Sequence, residues 1–458
     1  MKAKDLKGKN IYFLGIGGIG MSGLAQILIN RGYSVSGSDM VENGITKDLS
    51  GKGAKIYIGH DTKNIENAEV LVETAAIRED NPEYLAAKQK GVPILKRSEL
   101  LGMLMSEKKG IAVAGTHGKT TTSSMLALVL EKAGLDPTIV IGGEVKNIGG
   151  NAKDGKGEFL VAESCEYEKG LLDLHPFAAI ITNIEEDHLD TYDGIEDILD
   201  TFARFVGQVS KEGFLVISAD SVNTIQASEK YKGKLINYGL NGGELDFSAR
   251  NVRAENGKTK FEVFAAGKSL GEFVLVVPGA HNVSNALAVV AVAVKLKIDL
   301  DIVKRVFSEF SGAKRRFEIK GHKNGIMVID DYGHHPTEVK ATLAGLRSYF
   351  PDQKVWCVFQ PHQYSRTKFL LSDFAKSFSD ANKVIIPDIY AVRDTDEDKK
   401  SVSSQILVDE INKVTKNAKY IADFESVTSF LKDNVKSGEV IITIGAGPVF
   451  MIGEEFLK

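Results

Sequence analysis

Cysteine is scarce: only Cys165 and Cys357 occur in 458 residues. Two thiols make neither a disulfide framework nor a zinc cluster, which fits a reducing cytoplasm, and each reads as a small buried hydrophobe. An excess of one charge is also missing. Lys+Arg number 57 against Asp+Glu 61, a formal net charge of -4, so no global basic field recommends nucleic acid or an anionic membrane as a partner. Long apolar runs are absent too. The longest candidate, Ala286 to Val294, falls far short of the roughly 20 residues that span a bilayer, so no membrane insertion is expected. The opening MKAKDLKGKN has neither the apolar region nor the cleavage site of a signal peptide, and the expected location is the cytoplasm. There is no internal repeat and no low-complexity tract. What remains is ordinary globular composition, with a length that suggests about three domains.

The stretch from Gly110 to Ala133 carries the plainest chemistry. An apolar run, Ile111 to Ala114, leads through Gly115-Thr116-His117-Gly118-Lys119-Thr120-Thr121 into an apolar pattern of helical period. Leu126, Val129, Leu130 and Ala133 recur at i, i+3, i+4 and i+7, which predicts a helix with one face on a sheet, ended by Gly134 and Pro137. Strand, glycine loop and helix start together make an anion site, because the loop N–H groups and the helix terminus are both positive. Lys119 is placed to meet the β- and γ-phosphates of a nucleotide, with the Thr120 or Thr121 hydroxyl in a magnesium shell. The usual phosphate loop has a further glycine six residues before the lysine, where Val113 stands here.

Earlier in the chain, Gly15, Gly17 and Gly20 form G-x-G-x-x-G between a predicted strand and helix, and Asp39 follows the next apolar run. Alone this spacing would suggest a dinucleotide-dependent dehydrogenase, or a tight turn that needs glycine for packing. Further αβ units follow at Lys55–Ile58, Val70–Thr74 and Val92–Leu95. After the phosphate loop, Phe159–Ala162 and Ala178–Thr182 are apolar runs that deliver Glu163-Ser164-Cys165-Glu166-Tyr167 and Asn183-Ile184-Glu185-Glu186-Asp187-His188 to strand ends. Ligands of open parallel sheets bind at such ends. Phe247–Val252, Thr259–Phe264 and Leu270–Val277 read as an antiparallel elaboration, followed by an apolar helix over Ala286–Leu296 that Asn282 or Asn285 could cap. The last part is αβ again. Its runs Ile326–Ile329, Val355–Phe359, Val384–Ile386 and Val440–Ile444 end in DDYGHHP, QPHQYSRT and GAGP. Histidine and arginine gathered at consecutive strand ends suit carboxylate or phosphate binding.

In order, GIGGIGMSGLA with SGSD, GTHGKTTT, AESCEY, TNIEEDHLDTY, PGAHNVSNALA, GAKRRFE, DDYGHHPTE, FQPHQYSRT and GAGP resemble the motifs of the Mur ligase family across nearly the whole chain. The resemblance implies an α/β protein of three domains. These are a Rossmann-like UDP-sugar-binding domain over 1–107, a central ATPase domain with a mostly parallel sheet over 108–312, and a Rossmann-like amino-acid and ATP domain over 313–458. It implies that Gly15, Gly17, Gly18, Gly20, Ser38 and Asp39 hold a UDP-sugar rather than a nicotinamide. The implied activity is ADP-forming ligation, in which the carboxylate of UDP-N-acetylmuramate attacks ATP and the amine of L-alanine displaces phosphate from the acyl phosphate.

The implied cofactors are ATP and Mg2+. By the same resemblance, Gly115, Thr116, His117, Gly118, Lys119, Thr120 and Thr121 cradle ATP, and His281, Asn282 and Asn285 meet its adenine side. Arg315 or Arg316 is a phosphate contact, and Asp331 and Tyr332 line the same cleft. Thr120, Glu166 and His188 are metal ligands, and Lys119, Glu166, His188, His334 and Arg366 are the catalytic set. The chain departs from the family at two places. Ala203 stands where several branches have a modified lysine, and Gln363 where many alanine-adding members have arginine. A related ligase that attaches a preformed peptide is the alternative within the family; a dehydrogenase is supported by the first domain alone. The expected assembly is a monomer or weak homodimer, with small-molecule substrates only.

Overall fold

The computed structural model describes residues 3–78, 80–188, 190–241, 244–392 and 394–458; Leu189, within the TNIEEDHLDTY stretch, lies outside them. The described residues build three separate sheets. The first holds β1 (Asn10–Leu14), β2 (Ser34–Asp39), β3 (Lys55–Ile58), β4 (Val70–Glu73) and β5 (Ile94–Lys96), in the order β3-β2-β1-β4-β5. All its pairs are parallel. That accounts for the sequence pattern, since strands covered on both faces read as continuous apolar runs. The order reverses beside β1, so the crevice beyond the carboxyl ends of β1 and β4 is the place for a ligand.

The second sheet holds β6 (Lys109–Ala114), β7 (Thr138–Val145), β8 (Gly150–Lys153), β9 (Phe159–Glu163), β10 (Ala178–Ile181), β11 (Phe214–Ser218), β12 (Lys234–Gly239), β13 (Phe247–Glu255), β14 (Lys258–Ala265) and β15 (Lys268–Leu275). Its order is β15-β14-β13-β12-β11-β10-β6-β9-β7-β8. From β12 to β7 every neighbour is parallel, and β8 closes that edge antiparallel. Two-residue turns with positive φ, Asn256-Gly257 and Ala266-Gly267, join β13 to β14 and β14 to β15. Such turns match hairpin twist, which is the expected antiparallel elaboration.

The third sheet holds β16 (Glu318–Lys323), β17 (Ile326–Asp331), β18 (Val355–Phe359), β19 (Lys383–Ile386), β20 (Ala418–Tyr420) and β21 (Val440–Ile444), in the order β16-β17-β21-β18-β19-β20. Only β16 is antiparallel to its neighbour.

By compactness the chain divides into two units. One comprises Met1–Arg250, Glu262–Gly271 and Ser284–Ser308, the other Asn251–Phe261, Glu272–Val283 and Glu309–Lys458. The first sheet and strands β6 to β12 of the second therefore lie in one unit, while β13, β14 and β15 each have residues in both. The first two sheets share one apolar cluster, in which Phe13, Leu24 and Leu28 of the first segment join Val140, Ala152 and Leu160 of the second. Asn151 Nδ2 also donates to Ile19 O (2.6 Å), tying β8 to the helix Ile19–Asn30.

Two local expectations change. The helix after the phosphate loop, Lys119–Lys132, is buried around most of its circumference rather than on one face. Its small polar residues tolerate this because the Ser123 and Ser124 hydroxyls donate back to Thr120 O (3.1 and 2.6 Å). The apolar helix expected over Ala286–Leu296 begins earlier and spans Ala280–Lys295, so Asn282 and Asn285 lie within it instead of capping it. Among the described residues no helix is long and apolar enough to cross a membrane.

Candidate active site

Val113 is an interior residue of β6, fully buried and in register with Ile180 and Glu163. The strand thus occupies the place where longer loops have their first glycine, and the turn starts at Gly115. Gly115 has φ +126, and a Cβ there would come within 2.2 Å of Thr182 Oγ1. Gly118, at φ +82, precedes the helix Lys119–Lys132, and its Cβ would meet Asn285 Oδ1 at 2.5 Å. Both glycines are therefore demanded by backbone and by space. The end of β10 holds the loop from the other side. Asn183 O accepts from Thr116 N (3.0 Å) and Asn183 Oδ1 from His117 N (2.9 Å), while Thr182 Oγ1 donates to His117 O (2.6 Å). We expect Gly118→Ala to raise the KM for ATP about tenfold or more, since a positive φ and a clash act together. Steady-state kinetics at saturating co-substrates measures this, and an unchanged KM would contradict the loop geometry.

Lys119 Nζ donates to Gly115 O (2.5 Å), Thr116 O (2.9 Å) and Glu166 Oε1 (3.0 Å). Burial works against its charge, but Glu166 more than offsets that, and the ammonium stays protonated well above the ordinary lysine range. His188, at φ +55, brings Nε2 to 3.9 Å from Glu166 Oε1 and packs edge-on against Tyr167, 5.1 Å between ring centres. Lys119, Glu166 and His188 thus converge as the sequence suggested. Thr120 lies beside them, its buried hydroxyl donating to Glu163 Oε2 (2.8 Å). Thr121 is half-buried on the same turn. The donor set fits magnesium. Glu166 Oε2 is buried and among the described residues receives no hydrogen bond, although Lys119 Nζ lies 3.0 Å away off the bonding direction. A hard carboxylate oxygen with spare capacity beside a hydroxyl is what this ion takes.

The first glycine loop behaves differently. Gly15 N and Ile16 N both donate to Ser38 O (2.9 Å each), Gly17 N to Asp39 Oδ2 (2.9 Å) and Gly18 N to Gly15 O (3.2 Å). These four amides are spent inside the protein, so Asp39 fastens the loop. The Ser38 side chain is fully buried and donates to Glu83 Oε2 (2.5 Å), with His60 Nδ1 at 3.1 Å. That hydroxyl is committed to internal partners.

Arg97 belongs to none of the sequence motifs. A Cβ on Gly20 would lie 3.2 Å from Arg97 Cδ, so this side chain passes beside the start of the helix Ile19–Asn30. A guanidinium next to a helix N-terminus is a strong diphosphate site. Arg97 also lines a cavity of about 150 Å³ together with Thr74, Lys96, Ser98, Cys165 and Tyr167. The cavity opens at the carboxyl end of β4 and reaches the residues flanking Glu166. Its only signal in the sequence was a basic pair, Lys96-Arg97, at a strand end. Burial pushes the Cys165 thiol up, which disfavours its thiolate.

The second unit places its motifs at the carboxyl ends of β17, β18 and β21. Arg315 is a staple: Nε donates to Asp330 Oδ2 (2.9 Å), Nη2 to Gly445 O (2.6 Å), and the guanidinium lies 5.1 Å from the Tyr332 ring and 4.6 Å from that of Phe450. Of the two arginines offered as phosphate contacts, Arg315 is thereby committed to the fold. Arg316 lies 5.2 Å over the Tyr332 ring and 3.8 Å from Glu338. Asp331 is also internal, accepting from Phe317 N and Gly333 N (2.8 Å each) and Thr342 Oγ1 (3.3 Å). Burial raises its carboxyl above the ordinary range. Tyr332 is exposed.

His334 stacks edge-on with Tyr332 and lies 6.0 Å from His362, whose Nδ1 is 3.2 Å from Arg366 Nη1. His335 instead accepts from Thr337 N and caps the helix Pro336–Tyr349. Gln363, at φ +70, turns its amide to Val392 O (3.2 Å) and braces the segment after β19. Asn282 Nδ2 is held by Pro278 O (2.7 Å), and His281 stands exposed in the first turn of the helix Ala280–Lys295.

Residues 10–109 match the model described as "Mur ligase family, catalytic domain", residues 113–293 the "Mur ligase middle domain", and residues 315–447 the "Mur ligase, glutamate ligase domain". A UDP-N-acetylmuramate–L-alanine ligase of Caldanaerobacter subterraneus subsp. tengcongensis is 45% identical over 454 residues, covering 99% of this chain and 98% of that protein. One of Acetivibrio thermocellus is 46% identical over 455 residues, with 99% and 96% covered. Among solved structures, a UDP-N-acetylmuramate-alanine ligase of Thermotoga maritima is similar with a TM-score of 0.83 at 31% identity, over 98% of both chains.

Proposed function

The chain belongs to the Mur ligase family, and from that membership we infer that it joins L-alanine to the carboxylate of UDP-N-acetylmuramate, converting ATP to ADP and phosphate. The observation that carries the reading is full-length similarity to ligases of that name, combined with Lys119, Glu166 and His188 converging at the end of a short phosphate loop. We assign 1–107 to the UDP-sugar, 108–312 to ATP and 313–458 to the amino acid and ATP. Arg97, beside Gly20, takes the diphosphate, with Gly15, Gly17 and Gly18 shaping the turn and Asp39 and Ser38 fixing it. The cavity from Thr74 to Tyr167 leads the sugar's carboxylate towards Lys119.

In the first step a carboxylate oxygen attacks the γ-phosphorus and ADP leaves. A carboxylate is a poor acyl donor to an amine, and phosphorylation gives it a leaving group. Charge gathers on the transferring phosphoryl group, so positioning and electrostatics do most of the work. Lys119, kept protonated by Glu166, supplies a fixed positive charge there. The amides of Gly118 to Thr121 orient the phosphates, Thr116 N and His117 N being fastened to Asn183, and Asn285, beside Gly118, borders the nucleotide; the family resemblance adds His281 and Asn282 to its adenine side. Thr120, Glu166 and His188 would hold magnesium, which when bound neutralises phosphate charge.

In the second step the amine of L-alanine attacks the acyl carbon, phosphate leaves and the amine gives up a proton. Arg366 holds the amino-acid carboxylate, and His334 orients the amine; Gln363, turned to Val392 O, is a brace instead of a second clamp. Arg316 and Tyr332 contact phosphate and purine, and Asp331 fixes the turn that carries Tyr332. The chain works in the cytoplasm as a monomer or weak homodimer, its two thiols free.

The test is phosphate release by purified protein with ATP, magnesium, UDP-N-acetylmuramate and single amino acids. Release should require both the sugar nucleotide and L-alanine. Release only with a preformed peptide, or none with any amino acid, would overturn the reading.

A further inference from the structure

The amino-acid end of the second unit contains one ring that the assigned chemistry does not use. Tyr390 follows β19 and is 40% exposed. Its backbone is locked on both sides to the loop that follows β18. Tyr390 N donates to Pro361 O and Gln363 N donates to Tyr390 O, each at 2.9 Å, an isolated parallel bridge between His362 and Tyr390. Gly447 packs closely against the base of the ring: a Cβ there would come 3.1 Å from Tyr390 Cγ and 2.6 Å from Gln360 Oε1. The ring lies 5.7 Å from His362 and 34° from its plane.

His362 in turn contacts Arg366 and neighbours His334. Tyr332, His334, His362 and Tyr390 thus form a row along the carboxyl ends of β17, β18 and β19, with Arg366 alongside. An amino acid whose carboxylate is held by Arg366 has this row of rings beside it. The two backbone hydrogen bonds fix the point from which the Tyr390 side chain leaves, and Gly447 packs against the base of its ring, so the ring stands as a wall at the end of the row.

We propose that Tyr390 sets the upper size limit of the amino-acid side chain that the ligase accepts. This rests on the reading that Arg366 and the imidazole row receive the amino acid. The ring, not the hydroxyl, is the limiting element.

The test uses the full chain with saturating ATP, magnesium and UDP-N-acetylmuramate, and compares kcat/KM for L-alanine, L-2-aminobutyrate and L-valine by phosphate release. Tyr390→Ala should raise the L-valine to L-alanine ratio about tenfold or more, the scale of one or two methylenes in a pocket. Tyr390→Phe should keep the ratio within about twofold. Tyr390→Leu serves as a second truncation if the alanine variant is unstable, with Trp356 fluorescence reporting that the unit is folded. Arg366→Lys separates the two ideas, because it should raise KM for all three amino acids by a common factor and leave their ratio alone. If Arg366→Lys raises KM while neither truncation moves the ratio, the size-limit role is overturned and the amino-acid site stands. If Arg366→Lys leaves every KM unchanged, the amino-acid site itself is misplaced and the role of Tyr390 falls with it.

Discussion

Replacing Lys119 with alanine should lower kcat by about 10³-fold or more, the scale of a lost charge on a transferring phosphoryl group, while leaving the affinity for UDP-N-acetylmuramate within about twofold. The reason lies in where the two nucleotides are assigned. Lys119 closes the loop after β6, against Gly115 O, Thr116 O and Glu166, whereas Arg97 and the first glycine loop belong to the other sheet of the same unit. The substitution also leaves Glu166 buried without its cation. Some loss of stability therefore accompanies the loss of rate, and titration calorimetry with the sugar nucleotide alone keeps the two apart. A kcat loss under about tenfold, or a comparable loss of sugar-nucleotide affinity, would remove Lys119 from the role given to it.

The pH dependence carries a second sign. The folded pKa of Lys119 is raised, so its contribution to stability is fully present below the ordinary lysine value and is lost only as pH rises through the higher folded value. The kcat–pH profile between about pH 8 and 10 should therefore keep its shape when Lys119 is replaced by arginine, since neither side chain titrates there.

Arg315→Ala should cost about 3 kcal/mol in the second unit, the scale of breaking a buried pair by removing one partner. Asp330 is 1% exposed and among the described residues would keep the Thr443 hydroxyl, 2.6 Å away, while the carbonyl of Gly445 and the face of Phe450 would lose their cation and Tyr332 would keep Arg316 alone. The chain provides its own reporter. Trp356 is its single tryptophan and lies buried in β18 of the same unit. Urea unfolding followed by its fluorescence should show the midpoint fall by about 1 to 2 M. Arg316→Ala, at a more exposed neighbour, should move it by less than about a quarter of that. Equal shifts for the two variants would show that Arg315 is not the staple described.

Much of the architecture was legible because parallel strands buried on both faces leave continuous apolar runs. β3, β18 and β21 coincide with those runs, and most of the others fall within two or three residues of them. β7, β8, β11, β12, β16 and β20 have no counterpart among the named runs. β8 and β20 are short, and β7 and β16 contain glycine and charged residues that weaken the alternation. The early start of the helix Ala280–Lys295 escaped notice because Pro278-Gly279 and two asparagines look like a loop until the backbone is seen to turn there.

By itself, the sequence determined the order of motifs, the short phosphate loop and the convergence of Lys119, Glu166 and His188. Each depends on residues close in the chain to a strand end, and parallel sheets gather strand ends on one edge. The tertiary structure alone decided what each polar group is free to do. It committed Arg315, Asp331 and the Ser38 side chain to internal partners, gave Asp39 to Gly17 N, and brought Arg97 beside Gly20. A motif records which residue types are present, but a hydrogen bond already made inside the protein depends on distance and direction between segments far apart in sequence.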